Sequence, residues 1–390
     1  MSRARGEGTI DERGNDCWRL RYRVNGKRYT VAFRGTKTDA RKKLRELLRA
    51  GDTGQHIEPN RITVGQWIEQ WLSMGAPGQR QKALGGRALE KYSGLMRKYV
   101  VPVLGNRPLQ KLEATEIDLL YSKLKVRPSN ARYTHIVLAS CLATAKRKGL
   151  ITSNPMTKVS TKPSIPEQKH GKVLDNEGLA RLIKAFMSFS LYPLVVVAAY
   201  TGMRLGELLA LRWTDFDPKK KELRVERALE RVNSKTTFKA PKNARGYRTV
   251  GIPDDLVAFL LTEKEKHQRA IAGIPDGADV DLSLIKLPER ALIFPAFGPG
   301  EIDLTKPRNR VTVSGEFRCR VAKLGFKGFR FHDLRGSHAT ALIDNGTSIH
   351  VVAARLGHDP AVLMRSYAKV TDKAKAEVVA SIASMGLLGK

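Results

Sequence analysis

The chain has 390 residues, enough for two or three domains at roughly 150 residues each, and 42% of them are apolar, so sizeable cores can form and disorder is not the default. Seventy Lys and Arg against 38 Asp and Glu leave a net charge of +32. A compact state with that excess repels itself unless a polyanion neutralises it, so nucleic acid is the leading partner and an anionic membrane surface the second. A membrane span is not expected: the longest apolar run, Leu194 to Tyr200, has seven residues, against the 18 or so (about 27 Å of helix) that a span needs. The opening MSRARGEGT lacks an apolar stretch, so no secretory signal is expected. Cys17, Cys141 and Cys319 are too scattered for a disulfide framework or a zinc finger and suit a reducing cytoplasm.

Residues 1–50 carry 15 Lys and Arg against six Asp and Glu. In CWRLRYRV the residue types alternate, which puts Trp18, Leu20, Tyr22 and Val24 on one face of a strand and Arg19, Arg21 and Arg23 on the other. Asn25-Gly26 signals a hairpin, and Tyr29, Val31 and Phe33 continue the alternation in the returning strand. Thr38 is the expected N-cap of a following helix whose Leu44, Leu47 and Leu48 cover the apolar face. The arginines then form either a solvated face or a surface for phosphates; a face of one sign favours the second.

Residues 51–61 have no apolar period and read as a linker. From Thr63 to about Met156 the pattern is helical. Val64, Trp67, Ile68, Trp71 and Leu72 recur at helix spacing, as do Ile136, Leu138, Leu142 and Ala145 in a segment that ends at Lys148-Gly149. A second linker, TKVSTKPSIPEQKHGK, carries four lysines and is poor in large apolar residues. Beyond it, Asp175 caps a helix with Leu179, Leu182, Ile183 and Phe186 inward, and an apolar helix breaks at Thr201-Gly202. ELRVERAL and YRTVGIP suggest a β-meander, and further helices start near His332, Ser348 and Pro360.

Three segments of this last region carry candidate chemistry. In TGMRLGELLALRW, Arg204 follows the helix break and stands at a helix N-terminus suited to anions, with Glu207 three residues on and placed to orient it. In FRFHDLRGSHAT, His332 and Arg335 share a helix face. In RLGHDPAVLMRSYAKV, Asp359 and Pro360 start a helix, His358 sits in the turn before it and Tyr367 about two turns into it. Singly, each has an ordinary reading as an ion-pair partner, a satisfied histidine or a core tyrosine. Their order is what carries information.

That order, Arg, Lys, His-x-x-Arg, His, Tyr, resembles the tyrosine recombinase or phage integrase family, from about residue 10 to 380. TGMRLGELLALRW, HDLRGSHAT and LGH with a tyrosine nine residues later match closely, and EKYSGLMRKYVVPVLGNRPLQKL and LITSNP are similar to the family's core-binding domain. The resemblance implies that Tyr367 is the nucleophile that leaves a 3′-phosphotyrosyl bond and a free 5′-hydroxyl. It implies that Arg204 and Arg335 clamp the non-bridging oxygens, that His358 is a third donor, that His332 handles a proton, and that Glu207 is the acidic support. The family's lysine lies in a β-hairpin; Lys242 fits that place, with Lys239 and Lys235 as alternatives. Gly336 stands where a histidine often follows the second arginine, which touches no catalytic position.

The implied chemistry is physically coherent. Two permanently charged, bidentate guanidiniums stabilise the charge gathering on a pentacoordinate phosphate. A tyrosine of pKa near 10 needs a neighbouring basic or cationic group at neutral pH. Covalent storage of the phosphodiester removes the need for ATP, and no phosphate loop, paired cysteine or HExxH spacing is present, so no cofactor or metal is expected.

The expected fold is multidomain α+β: a small three-stranded sheet plus helix for arm-type DNA binding (1–55), an all-helical core-binding bundle (62–157), a linker (158–172) and a mainly helical catalytic domain with a small β-meander (173–390). The resemblance further implies a clamp of two domains around double-stranded DNA attachment sites and a homotetramer that exchanges strands through a Holliday junction. It also implies accessory DNA-bending or directionality proteins, no membrane partner and a place in the bacterial cytoplasm. Val378, Ile382 and Leu387 mark an amphipathic C-terminal segment that docks on a neighbour or on its own domain. The alternatives are a type IB topoisomerase-like relaxing enzyme and a non-catalytic DNA-binding regulator. A separate arm-type sheet argues against the first, and retention of all six catalytic residue types against the second.

Overall fold

The computed structural model describes residues 8–53, 56–78, 81–124, 128–164, 171–233, 235–241, 244–296 and 303–367, and the chain divides into two compact units, residues 1–167 and 168–390. The first begins with β1 (Thr9–Gly14), β2 (Cys17–Val24) and β3 (Lys27–Arg34), an antiparallel sheet in that order. Asn25 (φ 47°) and Gly26 (φ 80°) make the tight turn between β2 and β3. Trp18, Leu20, Tyr22 and Val24 are buried under Ala40 and Leu44 of α1 (Lys37–Asp52). The cap of α1 is Thr36 rather than Thr38: its hydroxyl oxygen accepts from the Asp39 amide and its hydroxyl donates to the Asp39 carboxylate. A Thr with an acid three residues on satisfies two groups at once, and Thr38 has no such partner.

Arg19, Arg21 and Arg23 point away from α1, and the strand register adds Arg28 opposite Arg23. The face is not of one sign, however. β1 lays Asp11 opposite Arg19, and its carboxylate pairs with Arg21 at 2.8 Å. The alternation within β2 carries no sign of this partner, because it comes from the neighbouring strand.

α2 (Val64–Ser73), α3 (Gly86–Leu95), α4 (Val101–Leu104), α5 (Ala114–Leu124) and α6 (Pro128–Arg147) enclose a second core around Trp67, Ile68, Trp71, Leu138 and Leu142. Ile136 is 41% exposed, contrary to the expected inward position; the buried row of α6 runs through Val137, Leu138, Cys141, Leu142 and Ala145. Beyond the bundle, Val159 is buried in this core, and Asp118 on α5 accepts from Ser160 and Thr161.

The second unit contains α7 (Asn176–Phe186), α8 (Tyr192–Thr201), α9 (Leu205–Leu208), α10 (Asp254–Ala272), α11 (Arg310–Lys323), α12 (Phe331–Asp344), α13 (Ile349–Leu356) and α14 (Pro360–Tyr367). Asp175 caps α7 as expected. The expected single meander is instead two sheets. β4 (Phe216–Asp217), β5 (Glu222–Val225) and β8 (Arg248–Gly251) form one, while β6 (Ala228–Val232) and β7 (Lys235–Lys239) form a separate hairpin. ELRVERAL is therefore split between two sheets: β5 pairs with β8, which lies beyond the hairpin. Val378, Ile382 and Leu387 lie outside the described residues. Among those described, no helix is long and apolar enough to cross a membrane.

Candidate active site

The site is built at three chain reversals. α8 ends on Gly202 (φ 62°), and the chain turns through Met203 to Arg204, which precedes α9. α12 places His332 and Arg335 one turn apart near its start. α13 ends on Gly357 (φ 64°), followed by His358, Asp359 and α14, whose last residue is Tyr367. Both glycines adopt left-handed backbone that disfavours a side chain. Space is also lacking: a Cβ on Gly202 would lie 2.6 Å from Leu356, and one on Gly357 would lie 2.8 Å from the Arg245 carbonyl.

Glu207 is the anionic centre. Its Oε2 accepts from the Arg204 amide at 3.0 Å and from Arg248 Nη2 at 2.8 Å, and its Oε1 accepts from Arg204 Nη1 at 2.8 Å. Burial by itself raises the carboxyl pKa, but the hydrogen bonds and charge of Arg248, with the bonds from Arg204, outweigh it and hold the group at about 2. Glu207 is thus ionised, and two guanidiniums share its charge.

The C-terminus of α13 gathers three arginines. The Arg355 carbonyl accepts from Arg248 Nε at 2.7 Å, the Leu356 carbonyl from Arg335 Nη2 at 2.6 Å, and the Gly357 carbonyl from Arg204 Nη2 at 3.2 Å. Carbonyls at a helix C-terminus lack intrahelical partners and carry partial negative charge, so they suit cations. Arg335, 3% exposed, also donates to the Gly202 carbonyl at 2.8 Å. Arg204 retains 37% of its side-chain exposure and is accessible to a ligand.

His332, at the first turn of α12, and His358 both stand within the field of these arginines. Loss of solvent around the ring and then the charge of Arg335 lower the pKa of His332. The same two causes, with Arg204 added, bring His358 to about 4. His358 is therefore neutral at neutral pH, and its Nδ1 is buried without a hydrogen-bond partner among the described residues. Such a ring is able to serve as a donor or acceptor to an incoming group.

Of the expected site residues, the structure brings Arg204, Glu207, Arg335, His332 and His358 together and sets the Tyr367 backbone at the end of the adjoining helix. The Tyr367 side chain and Lys242 lie outside the described residues. Lys235 is exposed at the start of β7, and Lys239 pairs with Glu230 at 3.0 Å. Arg19, Arg21 and Arg23 belong to the other unit. Sequence reasoning missed Arg248, Arg355 and His338. Arg355 Nε donates to His338 Nε2 at 3.1 Å and its Nη2 to the Tyr200 carbonyl, while His338 Nδ1 bonds the Ala199 carbonyl. Arg248 gave no signal beyond being one more arginine in a strand.

The chain is 26% identical over 381 residues, 92% of each chain, to a tyrosine recombinase XerC-like protein of Caldanaerobacter subterraneus subsp. tengcongensis. It is 27% identical over 380 residues, 91% of this chain and 90% of the other, to an integrase of Streptomyces ambofaciens. Its fold is similar to the Tn1549 transposon integrase in complex with a circular intermediate DNA (TM-score 0.63, 16% identity, 82% of this chain and 99% of that one). It is also similar to a lambda integrase dimer bound to a COC′ core site (TM-score 0.56, 17% identity, 95% and 99%) and to a lambda integrase tetramer bound to a Holliday junction (TM-score 0.54, 18%, 90% and 95%). Relatives that span nine-tenths of the chain as recombinases and integrases do not favour the topoisomerase or regulator readings. The fold, site and relatives define the class, a tyrosine-type site-specific recombinase, an enzyme that cleaves and rejoins DNA. More particularly, the chain belongs to the phage integrase family, whose model matches residues 172–374, just over half of its length.

Proposed function

We propose that the enzyme integrates or excises a phage or other mobile element by transesterification at DNA attachment sites, with Tyr367 as nucleophile. The Tyr367 oxygen attacks phosphorus, the bond from phosphorus to the 5′-oxygen breaks, and a 3′-phosphotyrosyl linkage and a 5′-hydroxyl result. Arg204 and Arg335 neutralise the non-bridging oxygens, with His358 as a further donor. His332, its pKa lowered, takes the tyrosine proton. Lys242 protonates the leaving oxygen; the ion pair of Lys239 with Glu230 leaves that alternative already engaged. Reversal with a different 5′-hydroxyl rejoins the strand and needs no ATP, because the tyrosyl ester stores the bond energy. Arginines of the N-terminal sheet grip accessory DNA, the helical core-binding domain and the catalytic domain bind attachment-site DNA, and four copies exchange strands with the help of accessory proteins.

The observation that supports this reading is the convergence of Arg335 and Arg204 on the Leu356 and Gly357 carbonyls, which immediately precede His358 and the helix that ends at Tyr367. The test is a nicked suicide duplex that traps the covalent intermediate. Tyr367→Phe should bind it with unchanged affinity and form no protein–DNA adduct. An undiminished adduct overturns the assignment.

A further inference from the structure

We infer that Arg248 is a positioning residue of the phosphate clamp, holding the segments that carry Arg204 and His358 in one arrangement. The inference rests on the reading of Arg204 as a phosphate ligand. Arg248 retains only 7% of its side-chain exposure and stands behind Glu207, opposite Arg204, so it acts through its neighbours.

Its donors are divided among three chain segments. Nη2 and Nη1 face Glu207 Oε2 at 2.8 Å and Oε1 at 3.3 Å, Nε faces the Arg355 carbonyl at 2.7 Å, and Nη1 also lies 3.4 Å from the Gly246 carbonyl. A guanidinium meets a carboxylate edge and a carbonyl together because its five N–H groups lie in one plane; an ammonium has no such fork. A buried cation is costly unless it is paired and hydrogen-bonded. The arginine is satisfied only when the start of α9 and the end of α13 are both in place, so each position depends on the other. Glu207 passes the constraint to Arg204 through backbone and side chain, and the Arg355 carbonyl passes it to the turn bearing His358. Gly357 accommodates the arrangement, since a Cβ there would lie 3.1 Å from Arg248 Nη1.

The experiment uses the full chain and its own core-site duplex, with the scissile group either an ordinary phosphodiester or a methylphosphonate, in which methyl replaces one charged oxygen. Arg204→Ala, Arg248→Met and Arg248→Lys are compared in single-turnover cleavage, alongside DNA affinity. A neutral phosphonate needs less of the clamp. Arg204→Ala should lose about 10²–10³-fold on the phosphodiester and recover most of it on the phosphonate. Arg248→Met should lose about 10²-fold, the cost of a displacement near 1 Å, with the same recovery and unchanged affinity. Arg248→Lys, which keeps a charge opposite Glu207 and so preserves folding, should fall between Arg248→Met and wild type. Equal losses on both substrates for the Arg248 variants, with recovery for Arg204→Ala, overturn the positioning role alone. No recovery for Arg204→Ala overturns the clamp and the inference with it.

Discussion

Glu207 holds Arg204 twice, accepting from its backbone amide at 3.0 Å and from its guanidinium at 2.8 Å. The carboxylate therefore fixes both the start of α9 and the direction of the side chain that begins there. It also faces Arg248, and both side chains of that pair are less than a tenth exposed. Removing one charge of such a pair leaves the other buried and uncompensated, which costs about 3–5 kcal/mol. Glu207→Gln should lower unfolding stability by that order and slow DNA cleavage, read from urea midpoints and the suicide-substrate rate. A loss within experimental error of zero would mean that the carboxylate is not a structural centre.

Acid should destabilise the second unit well above the carboxylate range. Burial first, then nearby cations, lower His267 and His338 from 6.5 to about 4. Below pH 6.5 the unfolded chain takes up protons that these histidines refuse in the fold, so stability falls with pH until about 4, by about 1.4 kcal/mol per pH unit for each group at most. Glu207 continues the decline: its depressed pKa stabilises the fold above 4.5, and that contribution is lost as pH falls through about 2. Urea midpoints measured between pH 8 and 4 should be flat above pH 6.5 and then decrease. A profile flat down to pH 4.5 would contradict neutral buried histidines.

Two glycines in neighbouring motifs should respond in opposite directions. Gly357→Ala forces a Cβ into left-handed backbone and against the Arg245 carbonyl, so a loss of about 1–3 kcal/mol is expected, together with slower cleavage through the displaced His358. Gly336 lies inside α12, with nothing within 4 Å of a Cβ. Gly336→Ala should gain about 0.5–1 kcal/mol by helix propensity. Thermal unfolding of the two variants measures the contrast, and equal effects would refute it.

The N-terminal sheet predicts a graded salt response. If Arg19, Arg23 and Arg28 neutralise phosphates, changing all three to Gln should reduce the slope of log affinity against log salt on accessory DNA by about 0.9 for each phosphate no longer neutralised. Arg21 is engaged by Asp11, so Asp11→Asn should free it and tighten binding. A salt slope unchanged by the triple variant would assign the face to solvent.

The alternation of CWRLRYRV, the cap at Asp175 and the helix break at Gly202 were legible because each is governed by residues within a few positions. Thr36, Ile136 and the split of ELRVERAL were misread because neighbouring capping choices, a shift of one position in a helical period and a pairing across an intervening hairpin look alike in one dimension.

The chemistry proposed for the protein is written along the chain, since the types and order of Arg204, Glu207, His332, Arg335, His358 and Tyr367 are matters of residue identity and spacing. How that chemistry is held depends on folding. Arg248 meets the Arg355 carbonyl across 107 positions, Arg335 meets Gly202 across 133, and Arg204 meets Gly357 across 153. Meetings at such separation follow from packing α8 and α13 against α12, which contributes buried residues to a separate core with each, because a buried guanidinium settles wherever the fold leaves carbonyls without partners.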